Sequence, residues 1–281
     1  MLVDAETLEP ARDGFSRVFG EATERIKPEL FESFVEITTA VVETPEEAEA
    51  ELRALRQEVA ERAAAHGFAV LATGSHPTAR GRVPLVPVER YWRLKEQLGP
   101  QLYRQQVCGL HVHVSVPDPD TCLRAFEGIV PRLPGLLAGS ANSPFWDGAD
   151  SGWRSIRSRI LLEMPTGGTP PVLHGWEDWE AATQGDSKRR HWDAWPRPEY
   201  GTLEVRVLDQ PTSLAQTAEL AAEVQRLVRE AAEADGAVFD REEYAALRDA
   251  AGRDGGGPEA ERQLELGPEA AVREIAALTL G

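Results

Sequence analysis

Cysteine is nearly missing from this chain: only Cys108 and Cys122 occur in 281 residues. Two thiols cannot build a disulfide scaffold and lack the paired spacing of a structural zinc site, so a reducing cytoplasm is the expected setting. Basic residues are also short, 30 against 47 acidic ones, and the net charge of -17 would repel a phosphate backbone or an anionic membrane. Nucleic acid and membranes are therefore not expected as partners. No stretch approaches the roughly 20 apolar residues of a spanning helix. The start, Met1-Leu2-Val3-Asp4-Ala5-Glu6, has neither the basic region nor the apolar run of a secretion signal. A Walker loop, a Gly-x-Gly-x-x-Gly fingerprint and a Gly-x-Ser-x-Gly elbow are lacking too, which removes the P-loop, Rossmann and α/β-hydrolase templates. What remains, 42% hydrophobic and 27% charged, is globular composition with length for one large core or two small ones.

The clearest local signal is Thr44-Pro45-Glu46-Glu47: a capping hydroxyl, proline at the first helical position and a capping-box glutamate at the third. With Leu52, Leu55, Val59 and Ala63 at helical spacing and Gly67 at the end, it predicts a helix over Pro45 to His66. A strand is expected over Phe68 to Thr73 and a short helix near Val88 to Leu98. Further helices are expected from Thr121 to Ala138, interrupted by Pro131 and Pro134, from Ser213 to Ala234, and weakly from Pro268 to Leu278.

Four other stretches read as strands with apolar residues on one face and ionisable residues on the other. In Val107 to Val116, period two turns His111 and His113 one way and Val112 and Val114 the other. In Gly201 to Leu208 it sets Glu204 and Arg206 opposite Leu203, Val205 and Val207. Phe31 to Val41, read as extended, puts Glu32 and Glu36 together, and Ser155 to Leu162 does the same for Arg157 and Arg159. In a one-sided antiparallel sheet these charges would simply face solvent. In a closed or funnel-shaped sheet they would face a cavity. There Glu32, Glu36 and Glu204 with one imidazole suit magnesium or manganese, and the arginines suit carboxylate or phosphate. That combination points to phosphoryl chemistry from a nucleotide. A zinc hydrolase using His111, His113 and Glu204 is a weaker alternative. Cys108 reads as a buried small hydrophobe, and His76, His174 and His191 as surface histidines. Trp176, Trp179, Trp192 and Trp195 read as core and loop anchors ahead of a stacking wall.

Several of these segments are similar to the bacterial carboxylate-amine ligases of the YbdK type, also called glutamate-cysteine ligase 2. They are Cys108 to Pro117, Ser140-Ala141-Asn142-Ser143-Pro144-Phe145-Trp146, Arg157-Ser158-Arg159 with Pro165-Thr166-Gly167-Gly168, and Gly201 to Arg206. Order and spacing match from Leu2 to about Arg229. The resemblance implies an α+β fold, a six-stranded antiparallel sheet curved into a funnel with helices on its outer face. It implies one catalytic domain over residues 1–281, with a shortened helical region at 235–281. It further implies an ATP- and Mg²⁺-dependent ligase (Mn²⁺ a substitute) that joins a carboxylate such as glutamate to an amine such as cysteine through an acyl phosphate, with a homo-oligomer compatible. By position, Glu36, His111 and Glu204 look like the family's metal ligands. Arg159 and Arg206 resemble its catalytic arginines, and Arg157, His113 and Glu32 fall on the substrate or nucleotide side. A catalytically degenerate homologue that binds without turnover is the alternative.

Three departures stand beside the match. The family's Gly-x-Glu-x-Glu strand would precede Leu2-Val3-Asp4-Ala5-Glu6-Thr7-Leu8. Here Met1 stands directly before that stretch, so a misassigned start is expected ahead of a decayed gene, and a poor catalyst in the chain as given. Trp195 stands where the family usually has arginine, and the segment from Thr183 to Ser187 is shortened. The region after Ala234 lacks an Asn-Arg-Trp-Arg-Ala stretch.

Overall fold

The computed structural model describes residues 1–184, 190–234 and 239–280. Most of the segment expected to be shortened, 185–187, lies outside the described residues, as does 235–238. In chain order the elements are β1 (Leu2–Asp4), α1 (Gly14–Val18), β2 (Ile26–Pro28), β3 (Val35–Ile37), α2 (Pro45–Ala64), β4 (Phe68–Val70), α3 (Glu89–Leu98), β5 (Val112–Ser115), α4 (Pro119–Ile129), α5 (Leu133–Ser140), β6 (Phe145–Trp146) and β7 (Ala149–Asp150). There follow α6 (Ile156–Leu162), α7 (Trp176–Thr183), β8 (Ala194–Arg197), β9 (Thr202–Val205), α8 (Leu214–Glu233), α9 (Arg241–Asp254), α10 (Pro258–Leu266) and α11 (Pro268–Leu278). No described helix is long and apolar enough to cross a membrane.

Helix α2 forms where its capping box demands. Glu47 N–H donates to Thr44 Oγ1 at 3.2 Å while the Glu47 carboxylate accepts from Thr44 N, and Gly67 leaves the helix at φ +78°. Helices α4, α8 and α9 are likewise capped by Asp118, Ser213 and Asp240. A 3₁₀ turn at Val130–Arg132, carrying Pro131, separates α4 from α5, as the two prolines require.

The class is α+β, with strands in one three-stranded sheet, ordered β5-β9-β8, and three antiparallel pairs, β1-β4, β2-β3 and β6-β7. One apolar core lies where α4 and α8 cover β5 and β9, with Phe126, Ile129, Leu203, Val205 and Val224 fully buried. At roughly 1.5–3 kcal/mol for each large side chain, that burial fixes which sheet face is inside and turns the other toward the cavity. A second core joins β1, β4, α1, α2 and α11 through Leu2, Phe15, Val59, Leu71 and Ile275.

Val107 to Val116 and Gly201 to Leu208 are strand only over Val112–Ser115 and Thr202–Val205, with His111 and Arg206 just beyond the strand ends, and the other two expected strands differ further. Ser155 to Leu162 is helical: Ser155 Oγ accepts from Ser158 N, and Ile156 and Ile160 make an i, i+4 apolar pair. Of Phe31 to Val41 only Val35–Ile37 is strand, because the chain turns at Phe31–Phe34, where Phe34 N donates to Phe31 O at 2.9 Å. The four tryptophans are core anchors in one edge-on and tilted series. Trp176 lies 5.6 Å from Trp179, Trp179 6.3 Å from Trp195 and Trp195 4.6 Å from Trp192.

Candidate functional site

The polar face of β5 and β9 borders a cavity of about 2080 Å³ that reaches across to β3 and the Glu29 turn. Residues His113 and Glu204 are register partners on adjacent strands, so period two delivers both side chains to the same face. His111 and Arg206 stand two residues from each, and join them at the cavity. Glu204 is 2% exposed, and its carboxylate is crowded by positive or donor groups. Arg197 Nη1 lies at 2.7 Å and Arg206 Nη1 at 3.3 Å. His111 Nδ1 is at 3.5 Å and His113 Nε2 at 3.7 Å. Burying a carboxylate is tolerated only with such pairing. Enclosure by protein holds His111 well below the usual imidazole range, and the Arg206 and Arg157 guanidiniums push the same way. Enclosure also lowers His113, against the pull of Glu204. Both shifts favour the neutral form of the ring.

The helical conformation of α6 separates Arg157 from Arg159, since two residues turn about 200° around a helix. Arg157 is buried, donating from Nη2 to Arg206 O at 2.9 Å and from Nη1 to Val207 O at 3.2 Å. It thereby braces the strand end that carries Arg206. Arg159 points away, bound to Glu163 Oε1 at 2.7 Å beside the Trp153 ring, and does not border the cavity.

On the opposite wall Glu36 projects from β3 and Glu29 from the turn after β2. Glu29 is exposed at the cavity, and desolvation by the surrounding walls raises its carboxyl to about 7. The Glu36 carboxylate adds to the rise, while Arg90 and Arg206 oppose it. Glu32 is not brought here: its carboxylate accepts from Ser16 N at 2.9 Å and Ser16 Oγ at 2.6 Å, tying α1 to the Phe31–Phe34 turn.

Residues beyond the sequence reading complete the walls. His191 borders the cavity, its Nδ1 at 2.5 Å from Thr166 Oγ1, and burial lowers it to about 4. His76 is buried as well, with Nε2 at 2.8 Å from Leu8 O, and is pushed down to about 4 by burial. Neither is an ordinary surface histidine. The Asp193 carboxylate accepts from Tyr244 OH at 2.5 Å and from Arg248 Nη2 at 2.9 Å, while its backbone O accepts from Arg206 N at 2.8 Å. Helix α9 thus clamps the segment facing Arg206. The sequence showed none of this, because the partners lie more than 50 residues from Asp193.

Whether this donor set suits a divalent cation differs along the cavity. Among the described residues no three His, Cys, Asp or Glu groups converge as a metal cluster. At Glu204 the fit fails, because guanidiniums occupy the carboxylate. Glu29 and Glu36 fit better: their mutual repulsion is one that a hard cation relieves.

The family profile described as Glutamate-cysteine ligase family 2 matches residues 2–257. Among curated relatives, "Putative glutamate--cysteine ligase 2-1" of Rubrobacter xylanophilus is 37% identical over 239 residues, 81% of this chain and 64% of that protein. "Putative glutamate--cysteine ligase 2" of Herpetosiphon aurantiacus is 34% identical over 239 residues, 80% of this chain and 62% of its own length. The protein of the same name from Roseiflexus castenholzii is 35% identical over 214 residues, 73% and 56% of the two chains. The chain therefore spans between 56% and 64% of the length of these relatives.

Proposed function

The chain belongs to glutamate-cysteine ligase family 2, and from that premise we propose that it is an ATP-dependent carboxylate-amine ligase acting in the cavity between β5-β9 and β3. The observation that carries the reading is one open cavity with guanidiniums from Arg157, Arg197 and Arg206 on one wall and the Glu29 and Glu36 carboxylates on the other. The first wall suits phosphate and carboxylate oxygens, the second a cation escorting them. The β1-β4, β2-β3 and β5-β9-β8 ladders around this space are read as the walls of the funnel that the resemblance implies.

In the first step a substrate carboxylate oxygen attacks the γ-phosphorus of ATP. The bond to the bridging oxygen breaks, ADP leaves, and an acyl phosphate forms. In the second an amine nitrogen attacks the acyl carbon, the C–O bond to phosphate breaks, and amide, inorganic phosphate and a proton are released. Arg206 is proposed to meet the transferred phosphoryl group, since transfer of this kind is helped chiefly by fixed positive charge. Arg157 acts through Arg206, by holding its backbone carbonyl. His111 and His113, both shifted toward their neutral forms, offer hydrogen bonds to the substrates. Magnesium, when bound, would neutralise phosphate oxygens, and Glu36 with Glu29 is the pair proposed to hold it. The placements of Arg159 and Glu32 give neither a role in this chemistry. Glutamate and cysteine are the first substrates to test.

ADP release with Mg²⁺, glutamate and a panel of amines is the test. Amine-dependent release supports the ligase. ATP binding by calorimetry with no release under any pairing would favour the homologue that binds without turnover.

A further inference from the structure

The carboxylate of Glu204 and the guanidinium of Arg197 are both nearly closed off from solvent, with side chains 3% and 8% exposed, and they meet at 2.7 Å. Arg197 is fixed from behind: its Nε donates to Glu199 Oε1 at 2.9 Å, and its guanidinium lies 5.0 Å from the Tyr200 ring centroid. The second carboxylate oxygen of Glu204 faces Arg206, His111 and His113. A carboxylate ligand sits about 2.0–2.6 Å from Mg²⁺ or Ca²⁺, so a cation bound to Glu204 would fall on the site that the guanidinium fills. A lysine or histidine could shed a proton to admit it. A guanidinium keeps its charge at any pH a protein survives.

We propose that Arg197 is a built-in cation that replaces a divalent ion at Glu204, so that this chain binds its metal without the Glu204 carboxylate. The Glu29 and Glu36 carboxylates form no ion pair among the described residues, and so remain for a cation. The inference rests on the ligase reading only in naming a divalent ion as the visitor. Its test uses neither nucleotide nor turnover.

The experiment titrates Mn²⁺ into the full chain, read by calorimetry and by the electron spin resonance of free Mn²⁺. Glu204→Gln is expected to leave the number of bound ions unchanged. Arg197→Met is expected to gain one ion per chain, and the Arg197→Met/Glu204→Gln double variant to lose it again. Loss of a bound ion in Glu204→Gln, or a folded Arg197→Met that gains none, would overturn the proposal. If Arg197→Met does not fold, the Glu204→Gln titration decides alone. A chain without ligase activity still answers, because an ion gained on Arg197→Met is independent of catalysis.

Discussion

Gly109 lies against Arg157 so closely that a Cβ on the glycine would stand 2.1 Å from Arg157 Nη2. The segment just before β5 and the guanidinium from α6 therefore share one space, and the missing side chain is what admits Arg157 to the carbonyls of Arg206 and Val207. Gly109→Ala is expected to push Arg157 off both carbonyls, costing about 1–3 kcal/mol for the buried donors left unpaired. Urea denaturation reads the stability, and the ATP affinity should fall with it. An unchanged midpoint would show that Arg157 does not depend on this contact.

The two arginines of the Arg157-Ser158-Arg159 motif should separate by function. Arg159→Gln removes an exposed pair with Glu163, worth roughly 0–1 kcal/mol, and should leave ADP release near the starting rate. Arg206→Gln should lower it by about 10²–10³, the usual loss for one charge-stabilising donor. Comparable losses in both would return Arg159 to the site.

Arg248→Met should destabilise strongly, because it leaves the buried Asp193 carboxylate without its cation, a change of about 3–5 kcal/mol. Tyr244→Phe removes one hydrogen bond and should cost about 1–2 kcal/mol, the lower part of the penalty for an acceptor losing a donor. Thermal denaturation of the pair reports the order, and a reversed order would contradict the clamp.

Stability should depend on pH through His76. Its folded value is about 4 against 6.5 unfolded, so the unfolded chain takes up the proton first as pH falls. The stability contributed by the neutral ring is complete above about 6.5 and is lost between there and about 4, on the order of 3 kcal/mol in all. Glu29 has the opposite sign, since its raised value favours the folded state at low pH and loses that advantage as pH rises toward 7. The difference between the original chain and His76→Gln isolates the histidine. Urea midpoints from pH 7 to 4.5 should fall more steeply in the original chain, and parallel curves would contradict this.

How much of this was legible in the sequence follows from the range of each interaction. The capping box of α2 lies within four residues, and the shared faces of β5 and β9 follow from period two, so both were readable. In Arg157-Ser158-Arg159 three residues are too few to tell period two from a helical turn, and the Ser155 cap and the Ile156/Ile160 spacing separate them. Glu29 was missed because it sits in a turn with no alternation around it. Arg197 belongs to a strand whose Pro196 and Trp195 disguise it, and its partner Glu204 is found only across the hairpin. The Asp193 clamp depends on α9, whose apolar face is too sparse to announce itself.

The most direct single measurement uses glutamate carrying oxygen-18 in its side-chain carboxylate, with ATP, Mg²⁺ and the amine that best stimulates ADP release. Ligation through an acyl phosphate must carry one labelled oxygen into inorganic phosphate, and mass spectrometry of the phosphate should find it, with Arg206→Gln slowing its appearance by about 10²–10³. Amide formed with unlabelled phosphate would contradict the acyl-phosphate route, and phosphate released without amide would contradict the ligase itself.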